Sequence, residues 1–88
     1  MPRIVPRRVK IDLGHRIIEL RKIRGLNQAQ LAEAIGLDER SVRRLESGDA
    51  NVDLQTLIDL AVVLDTDLPG LFTPPTTPIV RRPGRPSK

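Results

Sequence analysis

The sequence predicts an all-α fold of four to five short helices. Apolar residues recur at three- and four-residue spacing from Leu13 to Leu64, the period of a helix buried on one face. Each periodic stretch opens on an aspartate or asparagine, at Asp12, Asn27, Asp38 and Asp53, and three of them stop at Gly25, Gly36 and Gly48. No stretch shows the strict alternation of a strand, and there is no internal repeat. At 88 residues the chain has room for one domain with a thin core. Phe72 is the only aromatic residue, so Leu, Ile, Val and Ala must build that core.

Taken in order, Asp12 is placed to cap a first helix carrying Leu13, Ile17 and Leu20 and ending near Gly25. Asn27 caps a second, with Gln30 completing a capping box, Leu31, Ala32 and Ile35 turned inward, and Gly36 at its end. Asp38 caps a third, 38–47, which bears Val42 and Leu45 and closes near Gly48. Asp53 caps a fourth, in which Leu54, Leu57, Ile58, Ala61 and Leu64 form an apolar stripe. A last turn runs from Leu68 to Phe72 with Pro69 near its start, where proline is tolerated.

Charge divides the chain into three. All 11 carboxylates lie between Asp12 and Phe72, against seven Lys and Arg there, so residues 12–72 are net acidic. Residues 1–11 carry Arg3, Arg7, Arg8 and Lys10 with no acid, and with Pro2 and Pro6 read as an extended basic arm. Residues 73–88 carry Arg81, Arg82, Arg85 and Lys88 with five prolines, a non-helical tail expected to be disordered. Such blocks either seek a polyanion or only keep the protein soluble. The absence of cysteine excludes disulfides and thiolate metal sites and suits a reducing cytoplasm. No apolar run approaches the roughly 18 residues of a membrane span, and the N-terminus lacks a signal-peptide pattern. There is one histidine, His15, expected at the surface in the first turn of its helix. With no cysteine and no phosphate-cradling glycine loop, nothing suggests an enzyme, a cofactor or a metal.

The informative stretch is Gln28–Ser47, two short helices meeting at Gly36 with the spacing of a helix-turn-helix. Ala32 stands where the helices cross closely, and Gly36 just past a helix end, where positive φ is often required. With Leu31, Ile35, Leu37, Val42 and Leu45 inward, Glu39, Arg40, Arg43 and Arg44 are left outward. A net-acidic domain thus places three of its seven cations on one helix.

From Leu20 to Gly48 and on through Leu54–Phe72, the chain resembles the phage repressor/Cro-like, or Xre-type, regulators. Arg21, Gly25, Gln28, Leu31-Ala32, Gly36, Val42, Glu46 and Gly48 stand at that family's spacing. Asn51-Val52-Asp53 departs from it, because many members carry a proline before the fourth helix. The resemblance implies a lambda-repressor-like domain that binds double-stranded DNA, reads the major groove with the third helix and regulates transcription, by repression. Glu39, Arg40 and Arg44 would then meet base edges, arginine reading guanine and glutamate the cytosine amino group, so that the half-site is richer in G·C than those the glutamine-lined recognition helices of this family select. Glu39 has a second reading, as a partner of the helix N-terminus or of Arg43. Gln28, Arg21, Ser41, Arg43, Ser47 and Asn51 are the implied backbone contacts. Arg21 and Glu46 resemble a structural ion pair tying the first helix to the third.

The tail Arg82-Pro83-Gly84-Arg85-Pro86 partly resembles a minor-groove AT-hook, with Pro83 where the hook has its first core arginine. It reads as a hook, as a phosphate tether, or as having no role on DNA. One helix covers too few base pairs for a genomic site, so a homodimer is expected. Val63, Leu68, Leu71 and Phe72 are either its surface or the cap of a small core. An antitoxin that binds a toxin and represses its own operon is the alternative reading.

Overall fold

A prolyl ring has no N–H to lose at the first position of a helix, and the first helix begins on one. In a computed structural model that describes residues 4–76, α1 spans Pro6–Ile23 with Val5 before it. Pro6 and its neighbouring cations therefore start a helix rather than an extended arm. Arg7, Arg8 and Lys10 lie in its first turns, and Asp12 is an interior residue whose carboxylate lies 3.7 Å from Arg8. His15 accordingly sits in mid-helix, half-buried. The other helices are α2 (Gln28–Ile35), α3 (Glu39–Ser47), α4 (Leu54–Val63) and α5 (Leu68–Leu71), with no strand among the described residues.

Local chemistry sets the helix ends. The Asn27 side chain accepts from the Gln30 N–H at 2.7 Å, and the Gln30 side chain accepts from the Asn27 N–H at 2.8 Å, which closes the capping box. Asp38 and Asp53 accept from the N–H groups of Ser41 and Thr56, each at 2.8 Å. Gly36 and Gly48 take φ of 76° and 84° at the ends of α2 and α3, a region in which side chains are strained. There the N–H of Leu37 reaches the Ala32 carbonyl, and that of Asp49 the Arg44 carbonyl.

The core gathers Leu13, Ile17 and Leu20 of α1, Leu31, Ala32 and Ile35 of α2, and Val42 and Leu45 of α3. Leu60, Ala61, Leu64 and Leu71 close it from the far side. Burying each large aliphatic side chain contributes about 1.5–3 kcal/mol. On α4 the buried face is Leu60, Ala61 and Leu64 with Leu57 partly covered, which corrects the stripe that included Leu54 and Ile58. Leu54, Ile58 and Val62 are exposed at 62%, 40% and 74%. Leu71 is fully buried and belongs to the core, and Val63 and Leu68 pack against it half-buried. Only Phe72 of the four expected dimer residues is exposed.

A polar latch holds α5 and the segment after it to α1. Arg16 donates from Nε to the Gly70 carbonyl at 3.0 Å and from Nη1 to Glu19 at 3.2 Å. Thr76 donates its hydroxyl to the same buried carboxylate at 3.1 Å. Pairing on two sides makes burial of Glu19 tolerable.

The caps make stability depend on pH. Ser41, through its side chain and then its backbone N–H, holds the Asp38 carboxyl below its usual value. Thr56 does the same for Asp53, chiefly through its backbone N–H. A depressed carboxyl stabilises fully above the unfolded pKa of about 3.9, and that contribution is lost as pH falls through the folded value. The double variant Asp38→Asn/Asp53→Asn keeps both caps without a titrating group. Thermal melts by circular dichroism are expected to match wild type at pH 7 and to lose less stability on acidification below pH about 4. An unchanged pH dependence would contradict this assignment.

Candidate nucleic-acid interface

The outward surface of α3 follows from its period. With Val42, Leu45 and Glu46 buried, Arg40, Arg43, Arg44 and Ser47 are left exposed on the opposite side. The cationic helix is thus a ridge with a recess on either flank. One recess is bordered by Ile18 of α1, Gln28 of α2, and Arg40, Arg43 and Ser47. The other is bordered by Ser41, Asn51 and Thr56. Arg44 borders both.

The ridge is clamped from behind. Glu46 accepts from Arg21 Nε at 2.6 Å and Nη2 at 3.2 Å, and from Gln28 Nε2 at 2.9 Å, joining α1, α2 and α3 at one carboxylate. Arg21 Nη1 donates to the Leu26 carbonyl at 2.9 Å. The Arg21 side chain is only 11% exposed, and its Nε, Nη1 and Nη2 all donate within the protein. The amide of Gln28 likewise donates to Glu46, with one of its two N–H groups, and Gln28 opens α2, whose first backbone N–H groups have no partner within the helix.

Other side chains on the ridge are held within it. Arg43 lies 3.2 Å from Glu39 across one turn, so in the free protein Glu39 is paired. Arg44 reaches the Asp49 carbonyl at 3.4 Å. The Ser47 hydroxyl is shared between the Arg44 carbonyl and the Asp49 carboxylate, at 3.0 and 3.2 Å. Ser41 supplies its N–H to the cap of α3 and is half-buried. Arg3, Arg81, Arg82, Arg85 and Lys88 lie outside the described residues.

Two residues that shape the site escaped the sequence analysis. Gly14 is buried where α1 crosses α3, and a Cβ there would lie 2.5 Å from the Leu45 carbonyl oxygen and 2.6 Å from that of Glu46. A glycine inside a helical pattern was the available signal. Ile18 lines the recess beside Arg43, and nothing in its type distinguishes it from a core isoleucine.

A family model for helix-turn-helix proteins matches residues 17–71, which take in Ile18, the Arg21–Gln28–Glu46 clamp and all of α2 to α5. The chain belongs to the helix-turn-helix family. It is 40% identical over 65 residues to the control protein C.SmaI of Serratia marcescens, covering 74% of this chain and 77% of that protein. Its fold matches the restriction-modification controller protein C.AhdI from Aeromonas hydrophila with a TM-score of 0.71 at 38% identity, over 75% of this chain and 96% of the other. The clp gene regulator ClgR from Corynebacterium glutamicum shares the fold at a TM-score of 0.69 and 23% identity, over 80% and 71% of the two chains. This helix-turn-helix protein is a DNA-binding transcription regulator, and these relatives favour that reading over an antitoxin. Among the described residues there is no cluster of His, Asp and Glu that could hold a metal, and no helix is long and apolar enough to cross a membrane.

Proposed function

We propose that the protein binds double-stranded DNA in a sequence-specific manner as a symmetric homodimer and represses the promoter it occupies. The observation that carries this reading is the cationic ridge of α3 standing on the Glu46 clamp. A helix fits the roughly 12 Å major groove, and recesses on either side give room for the two sugar–phosphate strands. Arg40 and Arg44 are the base readers, Glu39 joins them when its pairing with Arg43 gives way to a phosphate, and Gln28, Ser41, Arg43, Ser47 and Asn51 border the backbone. The basic tail adds sequence-independent phosphate attraction. Likeness to the restriction-modification controller protein C.AhdI points to the genes of such a system as the regulated ones.

For the second copy, the exposed row Leu54, Ile58 and Val62 on α4 is an apolar surface that the fold leaves uncovered, and a row of three on one helix face is self-complementary about a two-fold axis. Selection of binding sites from random duplexes at a stated salt concentration tests the whole reading. The expected product is an inverted repeat of G·C-rich half-sites centred about 34 Å apart. Arg40→Ala is expected to relax one position of that half-site at a cost of about 1–3 kcal/mol. Failure to enrich any sequence would refute sequence-specific binding, and a single unrepeated half-site would refute the dimer.

A further inference from the structure

We infer that Arg7 is a backbone-phosphate ligand built into α1, extending the DNA surface beyond the end of the recognition helix. This rests on the proposed major-groove docking of α3. Because α1 begins at Pro6, Arg7 occupies a fixed place on a helix instead of a mobile arm. Its face of α1 is the one that meets α3. At successive turns after it, Ile11 packs on Gly48, whose Cβ position would fall 3.0 Å from the Ile11 Cα. Gly14 then abuts the Leu45 and Glu46 carbonyls, and Arg21 grips Glu46. Those contacts set the register of α1 against α3. Arg7, one turn before Ile11, is therefore carried roughly 6 Å along the helix from the Gly48 contact.

There is an electrostatic reason for a cation at that place. The C-terminal end of α3 bears partial negative charge from its last carbonyls, and Asp49 follows directly. Both repel a phosphate strand passing that end. Among the described residues no carboxylate pairs with Arg7, whereas the neighbouring Arg8 lies on another face and is partly neutralised by Asp12. Arg7 is exposed and available to offset the repulsion.

Arg7→Gln and Arg8→Gln remove the same charge from adjacent positions, so comparing them separates a located contact from bulk attraction. Binding of both variants and wild type to the selected duplex is measured across a salt series, with phosphate-ethylation interference on the same duplex. Arg7→Gln is expected to reduce the magnitude of the log K against log salt slope by about 0.9 per protomer and to lose one interfering phosphate per half-site. Arg8→Gln is expected to leave both unchanged. Equal effects of the two substitutions, or no effect of Arg7→Gln, would overturn the inference while wild-type binding still upheld the docking of α3. If wild type binds neither the selected duplex nor one of mixed sequence, the underlying reading fails and the inference falls with it.

Discussion

Glu46→Ala is expected to destabilise the protein by about 3–5 kcal/mol, the usual cost of stripping one partner from an enclosed ion pair. The Glu46 side chain is 4% exposed and serves three donors from two other helices, so its loss strands the Arg21 guanidinium and the Gln28 amide together. A charge without its counter-ion in that setting costs more than the pair contributes when intact. Urea unfolding measures the loss, and the double variant Arg21→Met/Glu46→Leu, which leaves no orphaned charge, is expected to recover much of it. If Glu46→Ala cost under about 1 kcal/mol, the pair would be behaving as a solvent-exposed one and the clamp would be discounted. The order in which half-site sequences are preferred should survive in Glu46→Ala, because Glu46 supports α3 from behind and touches no base in the proposed docking.

Gly14→Ala is the second substitution expected to have a large effect. Alanine would improve helix propensity by up to about 1 kcal/mol, but its methyl carbon would sit 2.5 and 2.6 Å from two carbonyl oxygens of α3. These are backbone atoms within a capped and clamped helix and cannot rotate aside. The steric cost, about 1–3 kcal/mol for overpacking and occasionally more, outweighs the gain. Relief requires α3 to move away from α1, which misaligns Arg40 and Arg44 relative to the recesses. DNA affinity is therefore expected to fall even at temperatures where the variant is fully folded, as measured by titration of the selected duplex alongside a thermal melt. Full affinity together with unchanged stability would show that the α1–α3 contact is looser than its geometry indicates.

Much of the fold was legible because its signals are local. Asn27, Asp38 and Asp53 cap the helices they precede, and Gly36 and Gly48 end two of them, since capping depends on a few consecutive backbone groups and one side chain. The outward cations of α3 could be read from its period once Val42 and Leu45 were placed inside. The start of α1 was misjudged because Pro6 and a run of cations suit an extended segment equally well. What decides for helix is that proline is harmless at the first position, while Val9, three residues on, borders a groove with Leu13, Leu71 and Phe72.

α4 shows a second limit. Its apolar residues surround the helix, so two interleaved stripes were available, Leu54–Ile58–Val62 and Leu57–Leu60–Ala61–Leu64. Either one satisfies the helical period, and only the packing of α4 against α2 and α5 selects the second for burial. The surface proposed for a second copy moves with that choice, away from Leu71 in the core and onto Ile58 and Val62 outside it.

By itself the sequence determined an all-α helix-turn-helix domain, the helix that presents its cations and the N-caps of α2, α3 and α4, because these follow from neighbours along the chain. Tertiary structure alone decided how the polar and cationic side chains are engaged within the protein. Arg21 and Gln28 are both paired with Glu46, and the approach of Ile11 to Gly48 fixes the place of Arg7 relative to the end of α3. Those outcomes depend on partners distant in the chain, whose positions are set by the geometry of helix crossing, and residue type and spacing carry no record of it.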